Sequence, residues 1–136
     1  MNDWVILKAE KEGKVSLCRL RKTAPPALFS TLINIEWTYD GSEYNGFPSP
    51  DLRKTMDQLE DYIAPLCDSS TSRLMTVLTG LGLREWGFYS NDFNIFIEKF
   101  NEYMQGKPVV PIKINYSQDP EHKYWMKYRN NVKESC

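Results

Sequence analysis

The stretch Arg73–Ser90, RLMTVLTGLGLREWGFYS, decides the fold. It reads as two strands joined by a short turn at Gly80–Gly82. Leu74 to Thr79 is apolar enough on both faces to sit centrally in a sheet. In the second strand Trp86 and Phe88 share one face, and Glu85, Gly87 and Tyr89 share the other, the period of two that a strand imposes. A helical pattern lies on each side of this hairpin, and a further strand lies outside each helix.

Towards the N-terminus, residues 32–39 place Ile33, Ile35, Trp37 and Tyr39 on one face and Leu32, Asn34, Glu36 and Thr38 on the other. The loop 40–48 (DGSEYNGFP) follows. Ser49-Pro50 then predicts a helix start, with Ser as N-cap, Pro at the first helical position and Asp51 at the positive end of the dipole. Leu52, Met56, Leu59 and Ile63 recur at helical spacing, and Pro65 stops the helix near Ala64. Towards the C-terminus, Ser90-Asn91-Asp92 caps a second helix over about 92–104 with an apolar stripe of Phe93, Ile97, Phe100 and Met104. Gly106 and Pro108 end it. Residues 109–116 read as a last strand, and Pro111 inside it predicts a sheet edge. Asp119-Pro120 opens a terminal helix over 119–132 that docks through Tyr124, Trp125 and Tyr128. At the other end, residues 4–9 and 15–21 form a hairpin around Gly13, with Val5, Leu7, Val15, Leu17 and Cys18 facing inward. Pro25-Pro26 breaks the chain after it.

The order is β-β-β-α-β-β-α-β-α. Without the first hairpin and the last helix it is β-α-β-β-α-β, the ferredoxin-like split βαβ plan of an antiparallel sheet with two helices on one face. The sequence therefore predicts one α+β domain over 1–136. It comprises a hairpin extension (1–26), a ferredoxin-like core (27–116), and a C-terminal helix and tail (117–136).

Composition agrees with a single packed domain: 136 residues, 41% hydrophobic and 13% aromatic. No apolar run approaches the roughly 18 residues of a membrane span. The opening MNDWVILKAEKEGK has an early acid and no basic lead-in, so it does not read as a secretory signal. Cys18, Cys67 and Cys136, odd in number and widely spaced, read as reduced thiols of a cytoplasmic protein, with Cys136 on the tail. The net charge of −1 hides a segregation. Residues 1–26 carry six Lys/Arg against three Asp/Glu, residues 27–106 five against twelve, and residues 107–136 six against three. An acidic middle is thus flanked by mildly basic ends, and a basic partner is the charge-complementary one. A pI near 5.9 and the lack of a Lys/Arg stripe among aromatics argue against nucleic-acid binding.

No stretch carries a catalytic or cofactor motif. His122 is the only histidine and reads as part of an exposed helix start, without an orienting acid. One His and three scattered Cys match no metal-ligand spacing. Gly80 and Gly82 join two strands, whereas dinucleotide sites need a strand-to-helix turn. The acid pairs Asp57/Asp61 and Glu98/Glu102 read as solvated helix faces. No catalytic residue, metal or cofactor is therefore expected.

The residues LREWGFYS at 83–90 resemble a bacterial family known only as domain of unknown function number 695. The resemblance extends to Trp37-Thr38-Tyr39, Gly46-Phe47-Pro48, Asp119-Pro120, Trp125 and Tyr128, and spans roughly residues 28–130. The C-terminal motif departs from the family pattern, because Glu121–Tyr124 separate Pro120 from Trp125. The resemblance implies an α+β domain and no particular activity. In size, acidity and expected fold the chain is also similar to regulators that inhibit ribonuclease E.

Function then rests on surface. Trp37 and Trp86 face helices and read as core. Tyr39, Tyr44 and Phe47 sit in or beside a Gly-rich loop, where exposed aromatics serve recognition. The expectation is a non-catalytic domain that binds and neutralises or regulates a basic protein, a nuclease or nuclease-type toxin, as an immunity protein would. Glu36, Asp40, Glu43, Tyr44, Phe47, Asp57 and Asp61 form the expected contact set, and Arg84, Glu85 and Tyr89 are further contact candidates. The alternative is a small enzyme or ligand-binding domain with a pocket near loop 40–48.

Overall fold

In the computed structural model, which describes residues 3–132, the chain runs β1 (Trp4–Lys11), β2 (Lys14–Arg21), β3 (Thr31–Thr38), α1 (Pro50–Tyr62), α2 (Ala64–Cys67), β4 (Ser72–Gly80), β5 (Leu83–Ser90), α3 (Phe93–Met104), β6 (Ile112–Gln118) and α4 (Lys123–Arg129). Cys136 lies outside the described residues. The six strands make one sheet in the order β1-β2-β4-β5-β3-β6. Every neighbouring pair is antiparallel. The fold is thus α+β, and the N-terminal hairpin extends the sheet, as its reading as a sheet extension predicted, joining at the β4 edge.

The helix boundaries follow their caps. Ser49 Oγ accepts from Leu52 N at 3.1 Å with Pro50 at the first position, and Asp92 accepts from Ile95 N at 3.1 Å. Pro65 does not leave a loop behind it: a second short helix, α2, starts at Ala64, with the proline in its first turn, where no N–H is needed. In α3 the most buried residue is Phe96, which lies beside the predicted stripe of Phe93, Ile97 and Phe100. Its ring packs 5.0 Å from that of Phe88. β6 is an edge strand, as Pro111 predicted, but the proline precedes it.

Both faces of the sheet are buried. Ile33, Ile35, Trp37, Trp86 and Phe88 form one cluster with α1, α2 and α3. Leu20, Leu32, Met75 and Tyr89 form another with Trp125 of α4. Val5 and Leu7 belong with this second cluster, next to Cys18, as predicted. Val15 and Leu17 alternate to the other face, and Leu17 is exposed there. In β4 a bulge between Leu74 and Thr76 lets Leu74 and Val77, three residues apart, both serve the first cluster, while Met75 serves the second. Burying each large side chain fully contributes roughly 1.5–3 kcal/mol.

The terminal helix is shorter than predicted, because residues 119–122 form a turn. His122 takes the left-handed conformation (φ 55°), and Asp119 caps the helix from outside, accepting from Lys123 N (2.9 Å) and Tyr124 N (3.0 Å). Its other bond, from the Tyr89 hydroxyl at 2.6 Å, ties the cap to β5. His122 is not exposed: its Nε2 lies 2.9 Å from the Phe29 carbonyl, and its ring meets that of Tyr89 edge-on. Trp125 donates its indole N–H to the Arg21 carbonyl at 2.8 Å. Tyr89 is therefore fully covered by α4 and is no contact residue.

Tyr124 docks on Glu85, to which its hydroxyl donates, while Asn34 donates to the same oxygen at 3.3 Å. Burial raises the Glu85 carboxyl above its ordinary value, the Tyr124 bond offsets part of this, and the Glu36 charge adds to it. A raised carboxyl pKa means the folded state holds this proton more tightly than the unfolded chain. The contribution is complete below the unfolded value near 4.5 and is lost as pH rises through the folded one. Glu85→Gln keeps the acceptor and removes the titration. It should match wild type in urea denaturation at pH 4 and be more stable at pH 8. Lower stability of E85Q at pH 8 would contradict this.

Candidate functional site

β3 ends at Thr38, and the next ten residues fold back against the β4–β5 turn. Asp40 Oδ1 accepts from Ser42 N at 3.0 Å, and this bond with the Ser42 hydroxyl holds the carboxyl below its ordinary value. Ser42–Tyr44 make a single 3-10 turn, closed by Asn45 in the left-handed conformation. Gly46 N then donates to Gly41 O at 2.7 Å. The Gly46 carbonyl accepts twice, from Gly82 N at 2.9 Å and from the Tyr39 hydroxyl at 2.7 Å, and Tyr39 N donates to Gly82 O at 2.9 Å. The two backbones touch so closely that side chains are excluded. A Cβ on Gly41 would lie 2.7 Å from Gly46 Cα, and one on Gly46 would lie 2.8 Å from Leu81 N.

This clasp fixes what the loop presents. Tyr44 is 44% exposed, Glu43 is exposed and Phe47 is half-buried. Together with Arg53, Lys54 and Asp57 of α1 they line an open depression of about 640 Å³. Asp57 in turn accepts from Arg84 Nη1 at 3.0 Å, and Arg84 Nε donates to Thr79 Oγ1 at 3.1 Å. One helical turn on, Glu60 Oε1 accepts from Arg19 at 2.6 Å and from the Trp86 indole at 3.0 Å. Arg53 and Asp57 also line a second, smaller depression of about 180 Å³ with Ile6, Leu17 and Arg19. The two depressions share Arg53 and Asp57 as lining residues.

Of the predicted contact set, Glu43, Tyr44, Phe47 and Asp57 come together in the first depression, and Asp40 lies in the same loop. Asp61 is exposed one turn further along α1 and does not line the depression. Glu36 is separated from the others. It lies on the α4 side of the sheet, opposite Glu85 and Lys113 in register, because alternation along β3 sends it away from the helices. Arg84 is no surface contact either, since it sits on the α1 face with its side chain 8% exposed. Sequence reasoning missed Arg53 and Lys54, which place positive charge inside the acidic patch. Their signal was present, since they precede Asp57 by four and three residues on one helix face. Among the described residues no group of three or more His, Cys, Asp or Glu side chains is gathered to hold a metal ion. No helix among the described residues is long and apolar enough to cross a membrane.

The Arg84–Asp57 pair is lopsided: the guanidinium is buried, whereas the Asp57 side chain is 57% exposed. Removing the acid strands a buried cation, but removing the arginine returns a carboxylate to water. Asp57→Asn should therefore cost about 2–3 kcal/mol in urea denaturation, and Arg84→Met less than about 1 kcal/mol. Equal losses would show that Arg84 is solvated in solution.

No curated protein and no solved structure matches the chain. Residues 2–130 match a family described as a family of unknown function (DUF695), so the match takes in the N-terminal hairpin as well as the later motifs. The chain belongs to this family.

Proposed function

We propose that the protein is a non-catalytic binding domain that inhibits or neutralises a basic protein partner, of the nuclease or nuclease-type toxin kind, as an immunity or regulator protein does. The contact face is the clasped loop and the outer side of α1. One observation carries this reading: five hydrogen bonds to the backbones of Gly41, Gly46 and Gly82, with a further one from Ser42 N to Asp40, hold an exposed aromatic loop in one conformation. Tyr44 belongs to neither core cluster and is 44% exposed. A loop ordered in advance loses little entropy on binding.

Charge supports a basic partner. Residues 40–62 hold six acids (Asp40, Glu43, Asp51, Asp57, Glu60, Asp61) against Arg53 and Lys54. Asp57 and Glu60 are engaged by Arg84 and Arg19. Asp40, Glu43, Asp51 and Asp61 remain exposed as rim charges that steer encounter. Inhibition is then steric occlusion of the partner's own site. The strand order β4-β5-β3-β6 supports a ferredoxin-like split βαβ core, with the β1–β2 hairpin added at β4. The shared sheet supports a single domain. Burial pushes the Cys18 and Cys67 thiols up to about 12, so both stay protonated at neutral pH; the cytoplasmic setting rests on the odd number and wide spacing of the cysteines.

The test is affinity capture with the whole chain, identification of the bound protein and titration of the purified pair. The partner should be basic, lose its activity in the complex, and bind more weakly as salt rises. Tyr44→Ala should weaken binding by about 2 kcal/mol, roughly 30-fold, without changing the melting temperature. A partner that binds Tyr44→Ala and Phe47→Ala as tightly as wild type would place the contact elsewhere.

A further inference from the structure

On the sheet face that carries α4, beyond its C-terminal end, lies a cavity of about 400 Å³. This is within the roughly 300–1,000 Å³ of small-molecule sites. Its floor comes from four strands. The registers Leu7↔Cys18, Cys18↔Leu78 and Gly80↔Leu83 put Leu7, Cys18, Leu78 and Leu83 on one face. Tyr128 and Asn131 wall the α4 side, and among the described residues no acid lines the space. Lys8 lines it too, but it pairs with Leu17, so alternation turns its side chain to the opposite face. The wall facing inward is thus uncharged. Ser16 and Asn131, at its edge, have no side-chain hydrogen bond among the described residues.

Leu81 forms the lip. It occupies the first position of the two-residue turn, with φ +55° and 49% of its surface exposed. Such turns favour Asn, Asp or Gly there, and a leucine in the left-handed region is strained. The clasp with Gly46 uses only the turn's backbone, and the half-exposed Leu81 side chain lines the cavity. The hairpin geometry itself imposes this conformation, as it does at Glu12 in the β1–β2 turn, and residues strained in this way cluster at binding and switch sites. An apolar occupant would cover Leu81.

We propose that this cavity binds a small, neutral, mainly apolar molecule with a hydroxyl group at one end. Its tail lies on Leu7, Leu78, Leu81 and Leu83, and its hydroxyl meets Ser16 or Asn131. The site is independent of the loop face. The high pKa of the Cys18 thiol, raised by burial, makes it a packing group and not a nucleophile.

The test titrates 1-octanol, octanoate and octylammonium, which share a tail and differ in head group, into the ¹⁵N-labelled full chain. Octanol should give saturable shifts at the amides of Cys18, Leu78, Leu81 and Leu83, and bind at least 10-fold more tightly than either ion. Leu81→Asn suits the turn, so it should raise the melting temperature while weakening octanol at least 5-fold. The proposal is overturned if no saturable shift appears up to the solubility of octanol, if an ion binds as well, or if L81N binds octanol like wild type.

Discussion

Strand β5 is buried from both sides, and the rest of the fold is arranged to satisfy it. Trp86 and Phe88 need one apolar layer and Tyr89 needs another, and all three are fully buried. A sheet covered by helices on one face only would leave Tyr89 in water. The C-terminal helix supplies the missing layer, held by Trp125 and by the Tyr89–Asp119 bond. Gly87 is part of the same constraint: a side chain there would collide with the Thr76 hydroxyl across the ladder.

Because β5 and β4 cannot shift, the turn between them is a fixed point. Two features grow from it in opposite directions. Backwards, the Gly82 amide and carbonyl grip Gly46 and Tyr39, so the 40–48 loop is ordered although its aromatic residue Tyr44 stays exposed. Forwards, Leu81 hangs over the apolar cavity beside β2. The core cluster thus reaches the surface through two or three backbone hydrogen bonds, without a long chain of side chains. The Arg84–Asp57 pair does the same for α1, tying the outer helix face to β5.

Local signals were legible in the sequence wherever one residue type has one physical use. Period two in residues 32–39, Ser49-Pro50, Asp92 and the glycines of the β4–β5 turn each specify their element without help from distant residues. What stayed hidden depends on partners far along the chain. Asp119-Pro120 looks like a helix start, but a left-handed His122 and a bond from Tyr89 move the start to Lys123. The burial of His122 depends on the Phe29 carbonyl, 93 residues away. Edge choice for the first hairpin rests on Cys18 and Leu20 pairing with Leu78 and Thr76, a match no local pattern announces. For the candidate site, the loop and α1 acids were found, since composition alone marks them. Glu36 was wrongly grouped with them because charge was counted along the chain and not by face. Arg53, Lys54 and the glycine clasp were missed, because their effect is geometric.

The proposed contact face requires the loop to be held in one conformation in the free protein. Backbone ¹⁵N relaxation of the free protein measures this directly. Order parameters for Tyr39–Phe47 should be near the value of about 0.85 found in the flanking strands. Values below about 0.6 at Tyr44–Gly46 would mean that the clasp does not hold in solution, and the proposed contact face would lose its basis.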